Sequence, residues 1–513
     1  MSDENGQTKK RKVSTKVALR ALVQKGLSRT SVGMKRREQA KFMLAETLAK
    51  KRMRISKAAQ GGGSDPQHNA AVRRFARDKA RELKKQIVDN NQRLKMNQSA
   101  LMRDRIPSPL LDSLDPDRAG RWRRILARKY RSEYLRLKLT SLNFLDDPIG
   151  TIENICALSK IDCEEVNAFL DFDDPYCYDI GAFLVISEVW HQLSPIYRGG
   201  RMSAPIQKVL DTVGVGRDLG IRLLGVSDHE DIWPFEMRRR RPRGTTQSPT
   251  AQLRPQGREQ LNDKLVELMD EWLAVASENA PNVPDDVMWE LTLEGKANIA
   301  NMVGEILDNA ERHSSGDGDG DWTMAAFMAK RSEDGQPDAM KCYLAFLSVG
   351  RSIAQTIERA PAQTQEFCNR YAVQHARKGQ SRDTLITIAA LQDGVTSAHE
   401  AVSNRRGGTG LQDTLDLIGD LGGAPDPGAD ARVTIVSGKS CIRLRHPILV
   451  GRSDGNNRRV QWCNQANDPR YPPDRDIAFD LPAHFAGTLV SVAFTLDPGL
   501  FVPESEHDGQ DDD

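Results

Sequence analysis

One stretch of the chain, residues 301–314 (NMVGEILDNAERHS), carries side chains that could do phosphate chemistry. In a helix, Glu305, Asn309 and His313 lie four residues apart and share one face. An amide oxygen can bind Mg²⁺ without adding charge, and a carboxylate one turn away can orient or deprotonate an attacking water or hydroxyl. The same spacing is typical of an ordinary amphipathic helix with a polar outer face, so the helix alone leaves both interpretations open.

Glycine and hydroxyl residues occur where two later apolar strands end or begin. Gly350 follows an apolar stretch that ends at Ser348, and a glycine there lets a ligand approach the backbone closely. Gly487 and Thr488 open another apolar stretch, where a small residue and a hydroxyl could face a base. These positions predict a ligand site at the ends of two strands.

A glycine-rich segment precedes the predicted helix 412–421. Free backbone N–H groups in such a turn, at a helix N-terminus and beside arginines, can form an anion site. A single segment of this kind is weak evidence by itself. The glycine-rich segment consists of Arg405, Arg406, Gly407, Gly408, Thr409 and Gly410.

In order and spacing, these segments resemble the GHKL ATPase superfamily, which includes gyrase-type topoisomerases, the large heat-shock chaperone ATPase, mismatch-repair ATPases and sensor histidine kinases. The resemblance covers residues 259–498 and implies a Bergerat-type α/β sandwich that binds ATP with Mg²⁺. It implies that Asn309 binds the magnesium ion and that Glu305 is the catalytic general base. It also implies that residues 407–410 form a lid, with Arg405 and Arg406 as candidates for the γ-phosphate.

The resemblance departs from the family pattern at Ser348. The family has an Asp there, which accepts a hydrogen bond from the adenine amino group. A neutral hydroxyl can still accept that bond, but more weakly than a charge-assisted acceptor. His191 lacks the sequence context of a phospho-acceptor histidine, which argues against a sensor kinase.

The function that we predict from these residues is ATP binding with slow Mg²⁺-dependent hydrolysis, coupled to lid closure and to binding of a protein partner or nucleic acid. ATP-dependent homodimerisation is expected, because family members often dimerise when the lid closes. One alternative is a serine protein kinase of the anti-sigma-factor type, in which Glu305 activates a partner's serine. Another is a non-catalytic scaffold that keeps a relic nucleotide site.

Residues 141–236 predict a small α/β domain from alternating strand and helix patterns. Strands are expected at 167–172 and 199–204, and helices at 179–193 and 206–213. The order faintly resembles the STAS domain of anti-sigma-factor antagonists, which implies an interaction module. A generic small α/β domain fits as well. The predicted fold class is therefore α/β (α+β).

Charge divides the chain into two parts. Of the 73 Lys and Arg and 71 Asp and Glu, residues 1–140 hold 37 and 13, so this segment carries +24 and the remainder −22. Residues 1–140 are expected to form a basic helical arm, with one helix over 118–138. Such an arm could bind nucleic-acid phosphates without sequence preference, or it could be solvated or docked on the acidic body.

The other segments complete the expected organisation. Residues 237–258 predict a basic, Pro-rich linker and 499–513 an acidic tail. Within 259–498 we expect helices to 313, two strands and a helix over 321–360, further helices to 424, a hairpin over 432–445 with its turn at 437–439, and a last strand over 488–496. No long apolar run predicts a membrane helix, and the seven scattered cysteines fit a reducing cytoplasm.

Overall fold

The computed structural model of the chain shows a mixed α/β structure of the α+β kind. It describes residues 100–101, 108–116, 125–126, 135–164, 168–193, 197–219, 232–240, 264–268, 271–272, 289–291, 303–307, 309–311, 321–331, 339–376, 379–395, 410–421, 431–446, 448–449, 451–453, 459–495 and 501–503. The arm before residue 100, the linker from 241 and the tail from 504 lie outside these residues. So do His313, Arg405, Arg406, Gly407 and Gly408.

Fourteen strands are present in the described residues, most of them short. In chain order they are β1 Ala100–Leu101, β2 Ile125–Leu126, β3 Leu135–Leu139, β4 Ala168–Phe172, β5 Tyr197–Arg201, β6 Ile232–Arg240, β7 Trp289–Leu291, β8 Trp322–Arg331, β9 Ala339–Val349, β10 Arg432–Arg445, β11 Arg452–Ser453, β12 Arg459–Val460, β13 Ala478–Thr495 and β14 Phe501–Pro503.

The helices flank these strands. They are α1 Pro109–Leu114, α2 Pro148–Glu164, α3 Ile180–Leu193, α4 Ala204–Thr212, α5 Val215–Leu219, α6 Ile353–Ile357, α7 Ala362–His375, α8 Arg382–Ala390 and α9 Gly410–Leu421. Residues 264–268 and 271–272 are also helical. Residues 303–307 and 309–311 are helical too, and we call them the Glu305 helix.

The largest sheet has five strands in the order β10-β13-β9-β8-β6, and every neighbouring pair is antiparallel. Its central strands are apolar at consecutive positions rather than at alternate ones, as in residues 342–347 (CYLAFL), all of which are buried. A strand with this pattern must be covered on both faces. The sheet is therefore the middle layer of the molecule.

Each face of the sheet belongs to a separate hydrophobic core. On the front face, Met324, Phe346 and Val490 pack with the Glu305 helix and with α6–α9. On the back face, Phe327 and Leu489 pack with α1–α5 and with strands β3 and β4. Successive residues of a strand point to opposite faces, so the residue number decides which core a side chain joins.

The back layer contains the small α/β unit predicted at 141–236. Its strands form a parallel sheet in the order β3-β4-β5, and the predicted helices appear as α3 and α4. Ser203 caps α4 by accepting a hydrogen bond from the backbone N–H of Ile206. The sequence pattern therefore predicted β4, β5, α3 and α4 to within a few residues, whereas β3 lies before residue 141, in a segment expected to be helical.

Strand β6 carries the chain from the back layer into the five-stranded sheet. It pairs with β8 through residue 240, so residues 237–240, expected at the start of a linker, lie in a strand. The buried Arg239 side chain forms an ion pair with Asp218 of α5 at 2.9 Å and also donates to Ser187 and Thr323. The predicted boundary at 236/237 therefore falls inside a strand that joins the two layers.

Several other local predictions were wrong. Strand β7 interrupts the helices expected over 259–313, and it pairs with β14, which lies in the expected acidic tail. The helix expected over 118–138 is replaced in its described part by β2 and β3, because residues 135–139 (LRLKL) alternate with the period of a strand. The hairpin expected over 432–445 is one long strand, β10, whose register against β13 shifts at Gly438. The strand expected at 488–496 starts ten residues earlier, at Ala478, and β14 follows it.

Among the helices that the structure describes, none is long and apolar enough to span a membrane.

Candidate functional site

Three hydroxyl side chains lie in one row across the central strands of the sheet. Thr488 of β13 is the cross-strand partner of Ser348 of β9 on one side and of Ser437 of β10 on the other. Each continues the alternation of the front face, since Phe346, Val490 and Ile435 lie two residues away in the front core. We call Ser348, Thr488 and Ser437 the hydroxyl row.

The hydroxyl row is hydrogen-bonded at Ser437, whereas the Ser348 hydroxyl has no hydrogen bond among the described residues. Ser437 Oγ donates to the carbonyl of Gly487 at 3.0 Å, lies 2.9 Å from Thr488 Oγ1, and accepts from the backbone N–H of Ile353 at 2.8 Å. Ser348 has 7% of its surface exposed, and its hydroxyl has no hydrogen-bond partner among the described residues. Thr488 is half-buried. A polar ligand could therefore use Ser348 and Thr488.

Gly487 allows β13 and β9 to approach closely beside this row. Its φ is 129°, and a Cβ atom built there would lie 2.0 Å from the carbonyl oxygen of Ser348. No other residue type fits this position without moving the backbone. Gly350 follows on the facing strand, and its N–H donates to the carbonyl of Ala486 at 3.2 Å. The two glycines predicted at strand ends therefore lie on adjacent strands.

The Glu305 helix packs on the same face of the sheet. Val303, Ile306 and Leu307 are buried in the front core, whereas Glu305 is exposed and Asn309 is half-buried. This burial pattern is that of an amphipathic helix with Glu305 on its polar side. The predicted site carboxylate is therefore accessible, and its helix is held by apolar contacts.

One hydrogen bond ties the far end of this helix to the strand end near the hydroxyl row. Trp322 Nε1 donates to Glu311 Oε1 at 2.9 Å. Trp322 precedes Thr323, whose cross-strand partner is Leu347, the residue before Ser348. Asp321, at the same strand end, accepts a hydrogen bond from the backbone N–H of Val349 at 3.3 Å. The helix end and the row therefore lie at the same edge of the sheet.

Helix α9 begins at Gly410, directly after the glycine-rich segment, as the sequence predicted. Leu415 and Ile418 bury it in the front core. The fully buried Gln412 fixes its first turn, since Gln412 Nε2 donates to the carbonyl of Leu391 at 2.7 Å. The orientation of this helix N-terminus is thus set by contacts on both sides.

Two further groups hold the segments next to the hydroxyl row in place. Ser352 forms a capping box with Gln355, which starts α6 directly after Gly350. His484 of β13 lies behind Gly438, and its Nδ1 is 2.7 Å from Ser113 Oγ of α1. Burial lowers the pKa of His484, which favours the neutral ring.

The residues that the sequence singled out fall into three groups. Ser348 and Gly350, at the end of β9, are brought together with Thr488, which lies inside β13 rather than at the predicted strand start. Glu305 and Asn309 lie on the helix bonded to that edge, and Gly410 begins a helix in the same front core. Arg405, Arg406, Gly407 and Gly408 lie outside the described residues.

The sequence prediction missed Ser437, Glu311 and Asp321. Ser437 had been assigned to a hairpin turn, and only the register of β10 against β13 shows that it faces Thr488. Glu311 lies two residues beyond Asn309 in the motif, so its inclusion in the same polar segment was the available signal. Asp321 stands directly before an apolar strand, where a polar residue at the strand end could have been marked.

The only side chain of the predicted metal site is Asn309, an oxygen donor. Within the described residues, no group of three or more His, Cys, Asp and Glu side chains could hold a metal ion. Mg²⁺ is usually bound through one or two oxygen ligands together with water and substrate phosphates. The half-buried amide of Asn309 fits that kind of coordination.

Three of the described cysteines are poor nucleophiles because they are wholly or partly buried. Burial raises the pKa of the Cys156 thiol to about 11 and those of Cys368 and Cys463 to about 12. These thiols are therefore protonated and unreactive at neutral pH.

No protein-family model, no curated protein and no solved structure matches the chain.

Proposed function

We propose that this chain is an ATP-binding regulatory protein with a GHKL-type nucleotide site, which hydrolyses ATP slowly with Mg²⁺. The observation that carries the proposal is the hydroxyl row on the front face, at the same sheet edge to which the Glu305 helix is bonded through Trp322. The front-face helices on the antiparallel sheet would then be the Bergerat-type α/β sandwich.

In this proposal, the base of ATP lies against Ser348 and Thr488. The hydroxyl of Ser348, which has no partner among the described residues, and the half-buried hydroxyl of Thr488 provide polar atoms beside Gly487, where the two strands approach closely. Ser348 is neutral, so its hydrogen bond to the adenine amino group is weaker than one to a carboxylate. Modest affinity for ATP follows.

The phosphates would lie between the Glu305 helix and the start of α9. Helix N-terminal amides bind anions, and α9 is long enough, at 12 residues, for its dipole to contribute. Asn309 would bind Mg²⁺, which neutralises phosphate charge when bound. Glu305 is exposed, so it can orient and deprotonate a water molecule for attack on the γ-phosphate.

Movement of the segment 405–410 over the γ-phosphate would couple the nucleotide to a partner. Residues 141–236 would act as a STAS-like interaction module, supported by strands β4 and β5, which form a parallel sheet with the preceding β3, and by the flanking helices. Because that unit packs on the back face of the same sheet, a change at the front could reach it through β6 and β8. A protein partner, a second copy of the chain or, through residues 1–140, nucleic acid could receive the change.

The test is phosphate release by the purified full-length chain with ATP and Mg²⁺. We expect slow turnover by the wild type and a loss of about a hundredfold or more in Glu305→Ala, with ATP binding retained, because only the general base is removed. Glu366→Ala is the matched control, since Glu366 is an exposed carboxylate on α7, and it should behave as wild type.

Other outcomes separate the alternatives. Transfer of labelled phosphate to a partner protein, lost in Glu305→Ala, would favour the serine kinase. Absence of ATP binding by a folded wild type would exclude both the ATPase and the kinase and would favour the non-catalytic scaffold.

A further inference from the structure

The hydrogen bonds around Ser437 determine which way the Thr488 hydroxyl points. Ser437 has one hydroxyl hydrogen, and the carbonyl of Gly487 can only accept, so the 3.0 Å contact between them uses that hydrogen. The Ile353 N–H can only donate, and it occupies one lone pair of Ser437 Oγ. The 2.9 Å contact between Ser437 and Thr488 must then be donated by Thr488.

The alternative arrangement makes one hydrogen bond fewer around the fully buried Ser437. If Ser437 donated to Thr488 instead, its single hydrogen would no longer reach the Gly487 carbonyl, and Thr488 could not donate to Ser437 at the same contact. The arrangement in which Thr488 donates to Ser437 is therefore the stable one.

As a consequence, Thr488 has no hydrogen left for a ligand. Its oxygen offers only lone pairs to the half-exposed side of the hydroxyl row. We infer that Ser437 is a specificity-determining positioning residue, which holds Thr488 as a pure hydrogen-bond acceptor and so selects a purine with a 6-amino group. This inference rests on the proposed nucleotide site.

The chemistry of the purine ring explains the selection. The 6-amino group of adenine donates hydrogen bonds, whereas the 6-oxo group of guanine or hypoxanthine accepts them. A Thr488 oxygen that can only accept stabilises the 6-amino group. It repels a 6-oxo group, because the lone pairs of the two oxygens then face each other. Without Ser437, the Thr488 hydroxyl is free to rotate and can donate to a 6-oxo group.

The experiment compares the dissociation constants of ATP and of inosine triphosphate, which carries a 6-oxo group in place of the 6-amino group. In Ser437→Ala we expect the preference for ATP to fall about threefold to tenfold, the range that one neutral hydrogen bond provides. Ser437→Thr keeps the hydroxyl and should keep the preference. Ser440→Ala is the control, because Ser440 is buried in the same strand and its hydroxyl has no described partner.

A second pair of variants tests whether Ser437 acts through Thr488. Thr488→Val removes the acceptor and keeps the shape, so it should lower the preference for ATP by itself. In that background Ser437→Ala should lower it no further. If Ser437→Ala does not fold, Thr488→Val alone decides, and an unchanged preference would overturn the inference.

Results that contradict the role of Ser437 can be distinguished from results that contradict the nucleotide site itself. A folded Ser437→Ala that weakens the binding of ATP and of inosine triphosphate by the same factor, so that the preference for ATP is unchanged, has only a structural defect, and this result would overturn the role in specificity while leaving ATP binding intact. A folded wild type that binds neither nucleotide would overturn the proposed function together with this inference.

Discussion

The ion pair between Arg239 and Asp218 should hold the back layer to the five-stranded sheet. The side chains are 7% and 9% exposed, and the N–O distance is 2.9 Å. Removing one partner of such a pair leaves a buried charge and costs about 3–5 kcal/mol. Arg239 keeps neutral acceptors at Ser187 and Thr323 when Asp218 is neutralised, so we expect the lower end of that range for Asp218→Asn.

A double-mutant cycle in urea unfolding measures the pair. Asp218→Asn and Arg239→Met should each destabilise by about 3 kcal/mol, and the double variant should be no worse than either, because neither charge then remains. The control is the exposed pair Arg382–Glu358, where Glu358→Gln should change stability by less than about 0.5 kcal/mol. Additive losses, or single losses below about 1 kcal/mol, would refute the reasoning.

Two further variants test other parts of the fold. Gly487→Ala should destabilise by about 3 kcal/mol or more in thermal unfolding, since its Cβ would meet the Ser348 carbonyl at 2.0 Å. Gly394→Ala, with φ of 81° and no atom within 4 Å, should lose only about 1 kcal/mol; equal losses would contradict the close approach. Burial raises the pKa of Asp179 to about 6, although the backbone N–H groups of Phe144 and Gly181 donate hydrogen bonds to its carboxylate and oppose the shift. The folded state therefore binds a proton more tightly than the unfolded state, whose Asp179 has a pKa of 3.8, so the free energy of unfolding increases as the pH falls from about 6 to 3.8. The effect approaches about 3 kcal/mol, and Asp179→Asn should remove this pH dependence from the urea midpoint; an unchanged pH profile would show that Asp179 does not titrate there.

Elements with one strong local pattern were predictable from the sequence. Residues 180–193 form a helix because a long apolar stretch starts after Asp179, whose carboxylate accepts the backbone N–H of Gly181. Residues 343–347 form a buried strand because their apolar residues are consecutive, whereas in 168–172 (AFLDF) the buried residues alternate, as in a strand with one covered face. In these segments local propensity and tertiary burial agree.

The errors came from residues whose local signals misled. Ser437, Gly438 and Lys439 have the composition of a turn, yet Gly438 adopts φ of 62° at a register shift inside one continuous strand. The arginines at 238–240 are typical of a linker, but pairing with β8 and the ion pair of Arg239 make them part of the sheet. Both outcomes depend on contacts with distant residues.

The candidate site was predictable only in part, for the same reason. Glu305, Asn309, Gly350 and Thr488 stand in a motif order that can be recognised along the chain. The role of Ser437 depends on the alignment of three strands that are far apart in sequence. A single sequence contains no local signal for that alignment.

The central claim is that the chain binds ATP, and equilibrium titration of the full-length wild type with ATP, with and without Mg²⁺, tests it most directly. We expect saturable binding of one ATP per chain that strengthens when Mg²⁺ is present, because Asn309 and the phosphates share the ion. No binding by the folded protein under either condition would contradict the claim.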